Sequence, residues 1–251
     1  MLKRRIIPIE LLAGGRLVKT RGFAVPRDVG DPVTSSKVYS DQDADELLLL
    51  RVDRDKTSIE PLVTVLASIA ARCYVPLAAG GGIASLDDAA RLFEAGADKV
   101  VINSNAYQDS STITRIGELY GRQAVIVGID VRLESGAYAL YSNCGRRAEP
   151  IALEEHIATV VKAGAGELMI QAIDRDGMMT GYDLDLLRRV VAISAVPVIA
   201  AAGAGHFIHL KEAFDAGVDA AACGSLFNFG DNSPLRAKAF LKNYGIPLKK
   251  I

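Results

Sequence analysis

Two carboxylates and two small-residue turns are the features of this sequence best suited to chemistry. Asp130 closes the apolar run Val125-Ile126-Val127-Gly128-Ile129, and Asp176 lies in Asp174-Arg175-Asp176-Gly177, just after the run Glu167–Ile173. A carboxylate at a strand end can act as general acid or base when burial raises its pKa, or it can simply cap a helix. Gly80-Gly81-Gly82 follows another apolar run and precedes Ser85-Leu86-Asp87-Asp88, a helix start; Ala201-Ala202-Gly203 stands in the same relation to a later run. Glycines there let backbone N–H groups approach an anion beside a helix N-terminus, or merely permit a tight turn. The runs that follow end in Asn103-Ser104 and Gly224-Ser225. Gly81, Gly82, Asn103 and Ser104 therefore form one candidate phosphate cradle, and Gly177, Gly203, Gly224 and Ser225 a second. Two cradles suggest a long substrate with a phosphate at each end.

A further set of charges, Arg5, Glu46, Lys99 and Glu167, begins four different runs. Charges at strand starts usually face solvent or pair off, but two cations and two anions could also close one end of a barrel as a gate. His156, His206 and His209 sit in or beside helical stretches without ligand spacing and read as ordinary residues. Cys73, Cys144 and Cys223 are far apart and odd in number, which fits reduced thiols better than a disulfide framework or a zinc site. Cys144 has no histidine nearby in sequence and makes a poor nucleophile. No cofactor and no metal are expected.

The elements that must position these residues alternate. Strand-length runs occur at Ile6–Leu12, Glu46–Val52, Val75–Ala79, Lys99–Ile102, Ala124–Val131, Glu167–Ile173, Val196–Ala200 and Ala220–Cys223. Amphipathic helix-length stretches such as Asp87–Ala95, Thr112–Tyr120, Leu153–Lys162, Leu184–Ala192 and Leu210–Ala216 separate most of them. Sliding the sequence over itself by 121 positions lays Val75–Ser104 on Val196–Ser225 with nine identical pairs in 30. The same offset lays Glu46-Leu47 on Glu167-Leu168 and Asp53-Arg54-Asp55 on Asp174-Arg175-Asp176. Eight βα units in two matching halves predict a (β/α)8 TIM barrel, built from two homologous half-barrels and occupying residues 1–251 as one domain. A doubly wound sheet is the rival, but no Gly-x-Gly-x-x-Gly follows the first strand. With 50% hydrophobic residues, 24% charged and a net charge of −1, the chain shows no electrostatic footprint for nucleic acid or an anionic membrane. No uncharged run is long enough to cross a bilayer, and Pro8 and Glu10 interrupt the first apolar run, so a cytoplasmic protein is expected.

Several motifs carry a resemblance. Arg5-Ile6-Ile7, Gly15-Arg16-Leu17-Val18-Lys19, Gly30-Asp31-Pro32, Asp45-Glu46-Leu47, Gly80-Gly81-Gly82-Ile83, Ala97-Asp98-Lys99-Val100 and Ile173-Asp174-Arg175-Asp176-Gly177 with Gly181-Tyr182-Asp183 occur in order. Essentially end to end, the chain resembles the cyclase subunit of imidazole glycerol phosphate synthase, the barrel partner of a glutaminase in histidine biosynthesis. The resemblance implies a bis-phosphorylated substrate at the barrel mouth. It also implies a glutaminase docked at the bottom, whose ammonia enters through a gate at Arg5, Glu46, Lys99 and Glu167. Asp98 would help hold that partner. Asp130 would be one of two catalytic carboxylates, with Asp176 in support.

The chain departs from the pattern at three places. Leu11 stands where the family has the other catalytic Asp, Arg51 where it has a second-strand Asp, and Ala202 where it usually has Gly. Glu10 is adjacent, but strand alternation points it towards the helix layer. A subgroup of paralogues associated with sugar amidation in surface-polysaccharide (O-antigen) biosynthesis has a similarly apolar first strand end. Ile7-Pro8-Ile9-Glu10-Leu11-Leu12, Gly224-Ser225-Leu226-Phe227 and Asn243-Tyr244-Gly245-Ile246-Pro247 resemble it. There the barrel and its glutaminase pass ammonia to a separate sugar amidotransferase. Two alternatives stay open: a working cyclase making imidazole glycerol phosphate and AICAR, helped by Glu10 or Asp176, and a non-catalytic scaffold that activates a glutaminase.

Overall fold

The computed structural model describes residues 3–24, 26–53 and 58–249, so Arg54 and Asp55 of the repeat lie outside the described residues. Eight parallel strands close on themselves: β1 (Arg5–Ala13), β2 (Leu47–Arg51), β3 (Leu77–Gly80), β4 (Lys99–Ile102), β5 (Val125–Glu134), β6 (Glu167–Ala172), β7 (Val198–Ala201) and β8 (Ala220–Cys223). Each pairs with the next, and β8 returns to β1 through Arg5↔Ala220 to Pro8↔Cys223. The fold is a (β/α)8 barrel. Its helices are α1 (Pro32–Asp41), α2 (Glu60–Ala70), α3 (Leu86–Glu94), α4 (Ser111–Tyr120), α5 (Leu153–Ala163), α6 (Leu184–Ile193), α7 (Phe207–Asp215) and α8 (Pro234–Lys242).

Strand alternation sorts the apolar residues into two cores. Ile7, Ile9, Leu48, Leu50, Ala78, Val101, Ile126, Met169, Ile199, Ala201, Ala220 and Ala222 fill the inside of the barrel. Ile6, Leu47, Leu49, Val100, Val125, Leu168 and their like alternate outward against the helices. Helix starts follow local chemistry. Ser85 and Asp88 form a reciprocal capping box on α3, while Asp31, Asp183 and Ser233 cap α1, α6 and α8 through their side chains.

The 121-residue repeat is structural. β3 and α3 superpose in number on β7 and α7 without a residue of slip, and the short helices Ser104–Gln108 and Ser225–Asn228 start in the same register, the second one residue shorter. Asp98 and Asp219, also 121 apart, do the same work: each carboxylate accepts the N–H of Leu77 or Val198, at 2.8 and 3.0 Å. Their own N–H groups donate back to the carbonyls of the same two residues.

Three expectations are corrected. β3 and β7 begin at Leu77 and Val198, not at Val75 and Val196. Pro76 and Pro197 lack an N–H and stay ahead of the ladder, offering only their carbonyls to Leu47 and Leu168. β5 runs past Val131 to Glu134, because it leaves the barrel and folds back on the antiparallel strand Ala137–Ser142, which pairs with Arg147–Glu149. β1 does likewise with Arg16–Lys19 and Arg27–Gly30. These two matching excursions over the mouth were absent from the periodic reading.

Candidate functional site

The C-terminal ends of the strands surround a cavity of about 370 Å3. Asp130, Asp176, Gly81, Gly82, Asn103, Ser104, Gly177, Gly203, Gly224 and Ser225 all line it, with Leu11 and Arg51. The structure thus brings Asp130, Asp176 and the eight residues of the two candidate cradles to one cavity. Asp130 is buried at the inner face of β5 and accepts a hydrogen bond from Gln171 Nε2, its neighbour in register on β6, at 2.8 Å. Asp176 has a different setting. Its Oδ2 accepts from Thr20 Oγ1 at 2.6 Å and from the Phe23 N–H at 3.1 Å, and its carbonyl accepts from Gly22. Asp176 therefore ties the excursion after β1 to the loop after β6. A Cβ on Gly177 would stand 2.1 Å from the Thr20 carbonyl oxygen, so only glycine admits this approach.

The turn glycines are constrained in the same way. A Cβ at Gly81 would meet the Arg51 carbonyl oxygen at 2.2 Å, and one at Gly203 that of Gly181 at 2.3 Å. Ala202 occupies the place of Gly81 in the second half with φ +70, a left-handed conformation that a β-carbon disfavours. Packing alone accounts for these glycines, and the same packing brings the backbone to the cavity wall. Arg51 is buried at the cavity edge; its Nη1 donates to the Ser58 carbonyl and its Nε lies 3.6 Å from Asp53 Oδ2.

Glu10 is fully buried and faces away from the cavity. Its Oε2 accepts from Ser36 Oγ of α1 at 2.6 Å. Burial pushes its pKa up, and the Ser36 and Ser35 hydrogen bonds only partly oppose that. β1 alternates without a slip of register, so Glu10 stays in the helix layer and Leu11 stands at the mouth.

Lys19 is a mouth residue that sequence reasoning passed over except as part of a motif. It ends the strand Arg16–Lys19, is buried, lines the cavity, and donates from Nζ to the Ile9 carbonyl at 3.1 Å. Burial lowers its pKa to about 8, against the opposing pull of Glu10, Asp176 and Cys223. The hairpin signal in Gly14-Gly15, both with positive φ, could have placed it at the mouth.

At the other end of the barrel the four strand-start charges meet. Arg5 Nη1 lies 2.8 Å from Glu46 Oε2 and 3.2 Å from Glu167 Oε1, and Arg5 Nη2 pairs with Glu167 Oε2. Lys99 Nζ completes the ring, 2.9 Å from Glu46 Oε2 and 2.6 Å from Glu167 Oε1. Burial raises the pKa of Glu167, but the Arg5 hydrogen bond and the charges of Arg5 and Lys99 outweigh it and hold the carboxylate below its ordinary range. Asp98 is exposed beside this ring, in addition to its strand-start hydrogen bond.

The histidines serve the fold. His156 is buried and stacked on Tyr107 at 4.0 Å, where burial lowers its pKa to about 4. His206 caps α7, and His209 Nδ1 accepts the Gly205 N–H. Burial pushes the Cys73 thiol up to about 11 and the Cys223 thiol well beyond its ordinary value. No helix among the described residues is long and apolar enough to cross a membrane.

Known proteins are similar in sequence to this chain over nearly all of its length. The family model for histidine biosynthesis proteins matches residues 5–233. The imidazole glycerol phosphate synthase subunit HisF of Exiguobacterium sibiricum is 39% identical over 249 residues, covering 99% of this chain and 100% of the relative. The same subunit of Chlorobium limicola is 38% identical over 250 residues, with 99% and 100% coverage, and that of a Thermotoga species 36% over 249, with 99% and 98%.

Proposed function

The chain belongs to the HisF family of imidazole glycerol phosphate synthase subunits, and from that premise we propose that it is an ammonia-handling barrel that has lost the cyclase step. In this reading it pairs with a class I glutaminase at its floor. The observation that carries the reading is the closed ring of Arg5, Glu46, Lys99 and Glu167 at the end of a barrel whose mouth is lined by Leu11, at the position where the resemblance implies an acid.

Neutral ammonia released at the floor meets the ring first. It passes when a Lys99 contact opens, whereas ammonium must shed its hydration to enter an interior lined by Ile7, Leu48, Val101, Ile126 and Met169. The ring is thus both a plug and a filter for charge. Asp98, exposed beside it, is read as part of the docking face.

At the mouth, cyclisation needs protons to be removed and returned by two groups on opposite sides of the ligand. Asp130, oriented by Gln171, supplies one. Leu11 cannot supply the other, and Glu10 is turned to Ser36 in the helix layer. Asp176 acts as a positioning residue for the Thr20–Phe23 segment. The two cradles, Gly81, Gly82, Asn103 and Ser104 opposite Gly177, Gly203, Gly224 and Ser225, are read as keeping a phosphorylated ligand at the mouth. The resemblance of the first strand and the C-terminal segments to the O-antigen paralogues makes a sugar amidotransferase the consumer of the ammonia, in the cytoplasm and in service of lipopolysaccharide synthesis.

A second reading, an authentic cyclase, draws on the shared cavity of Asp130 and Asp176 and on the relatives' printed names. Assaying the chain with the bis-phosphorylated aminoimidazole ribotide and excess ammonium separates the two. Absence of turnover with intact glutaminase stimulation supports ammonia handling; turnover supports the cyclase.

A further inference from the structure

The mouth holds an amine that the reading above does not use. Lys19 Nζ lies at the cavity wall beside the second cradle: a Cβ placed on Gly224 would come within 2.4 Å of it. Among the described residues its hydrogen-bond acceptor is the Ile9 carbonyl, and an ammonium has three donors. The neighbouring inward residues of β1, Ile9 and Leu11, are apolar, so the side of the cavity that would carry an acid carries hydrocarbon.

We propose that Lys19 is a nucleophilic amine that forms a Schiff base with a phosphorylated ketose or aldose bound at the mouth. The phosphate would sit at Gly203, Gly224 and Ser225, and the carbonyl carbon at Nζ. Attack forms the C–N bond as the amine proton moves to the carbonyl oxygen. The resulting hydroxyl then leaves as water, so ammonium and carbonyl give iminium and water with no other reactant. The charged and titratable groups whose fields act on Lys19 are Glu10, Asp176 and Cys223. With its pKa near 8, Lys19 holds on the order of 100-fold more free amine at pH 7.5 than an ordinary lysine. The proposal shares the second cradle with the ammonia-handling reading but not the glutaminase.

The test uses the full chain, ribulose 5-phosphate as the probe and sodium borohydride as the trap. Peptide mapping by mass should find the reduced adduct on Lys19, formed at least about 10-fold faster than on any other lysine. The rate should rise between pH 6.5 and 8.5, fall with inorganic phosphate, and drop by a similar factor with unphosphorylated ribulose. Lys19→Arg should abolish the adduct, and because mapping of the unaltered chain locates the site directly, the result does not depend on that variant folding. Adducts spread over surface lysines, or none at all, would overturn the proposal. If none forms while phosphate esters still raise the melting temperature, the Schiff base fails and the phosphate-binding mouth stands.

Discussion

Lys99 Nζ stands 2.6 Å from Glu167 Oε1, joining β4 in one half of the barrel to β6 in the other across the floor. Glu46, with its side chain 2% exposed, holds the same ammonium from β2, and Arg5 holds both carboxylates from β1. Each member therefore has two partners of opposite sign, and removing one leaves its neighbours partly unpaired.

Lys99→Met should lower stability by on the order of 1–4 kcal/mol, between the values for exposed and fully buried pairs. It should also reduce the stimulation of a partner glutaminase at least about 10-fold. Chemical denaturation and glutamine hydrolysis measure the two effects. A variant that stimulates normally would show that the ring has no part in coupling.

The Glu167 carboxylate is held below its ordinary pKa, so its contribution to stability is present above the unfolded value near 4.5 and is lost as pH falls through the folded value. Glu10 has the opposite sign. Its pKa is raised in the fold, so the folded state holds that proton longer and stability declines as pH rises from about 4.5 towards the folded value. Glu10→Gln should raise the melting temperature at pH 8 and leave it unchanged at pH 4, as thermal scans at the two pH values will show. It should supply or remove no acid at the mouth, since Glu10 faces Ser36, but by removing a charge that holds the Lys19 pKa up it should move the pH profile of Lys19 trapping to lower pH.

Gly81 and Ala202 are equivalent positions, both with positive φ, that hold different residues. Gly81→Ala puts a Cβ 2.2 Å from a backbone oxygen and should cost more than about 2 kcal/mol. Ala202→Gly relieves a left-handed alanine, worth about 1–2 kcal/mol, against about 0.4–1 kcal/mol from the looser unfolded chain. It should be neutral or stabilising by up to about 1.6 kcal/mol. Urea midpoints compare the pair, and a destabilised Ala202→Gly would mean that its methyl group packs usefully.

Much of this was legible in the sequence because it repeats. The offset of 121 that aligned Asp98 with Asp219 and Ser104 with Ser225 also aligns β3 with β7 and the short helices after β4 and β8. Alternation placed Glu10 outward, since a period of two leaves no freedom once one face is buried, and their places at the starts of four runs put Arg5, Glu46, Lys99 and Glu167 at the floor. A ring of these four charges was among the readings, but which atoms pair was not legible, because contacts 41, 53 and 162 residues apart depend on barrel closure. The mouth excursions were missed for another reason. Arg16–Lys19 and Arg147–Glu149 are too short to show a period, and their signals lie in the turns at Gly14-Gly15 and Ser135-Gly136. With them went Lys19 and the tether from Thr20 to Asp176. Gln171 carried no signal beyond its place two residues after Met169 on the inner face of β6.

The most direct test is turnover of the bis-phosphorylated aminoimidazole ribotide by the folded chain alone with excess ammonium salt, read as imidazole glycerol phosphate formed. The account predicts no turnover above the rate without protein. Leu11→Asp, which puts into the cavity shared with Asp130 the acid that the proposed reading holds to be missing, should produce a measurable rate. Robust turnover by the unaltered chain, abolished by Asp130→Asn, would contradict it and make this protein a cyclase that works with leucine at position 11.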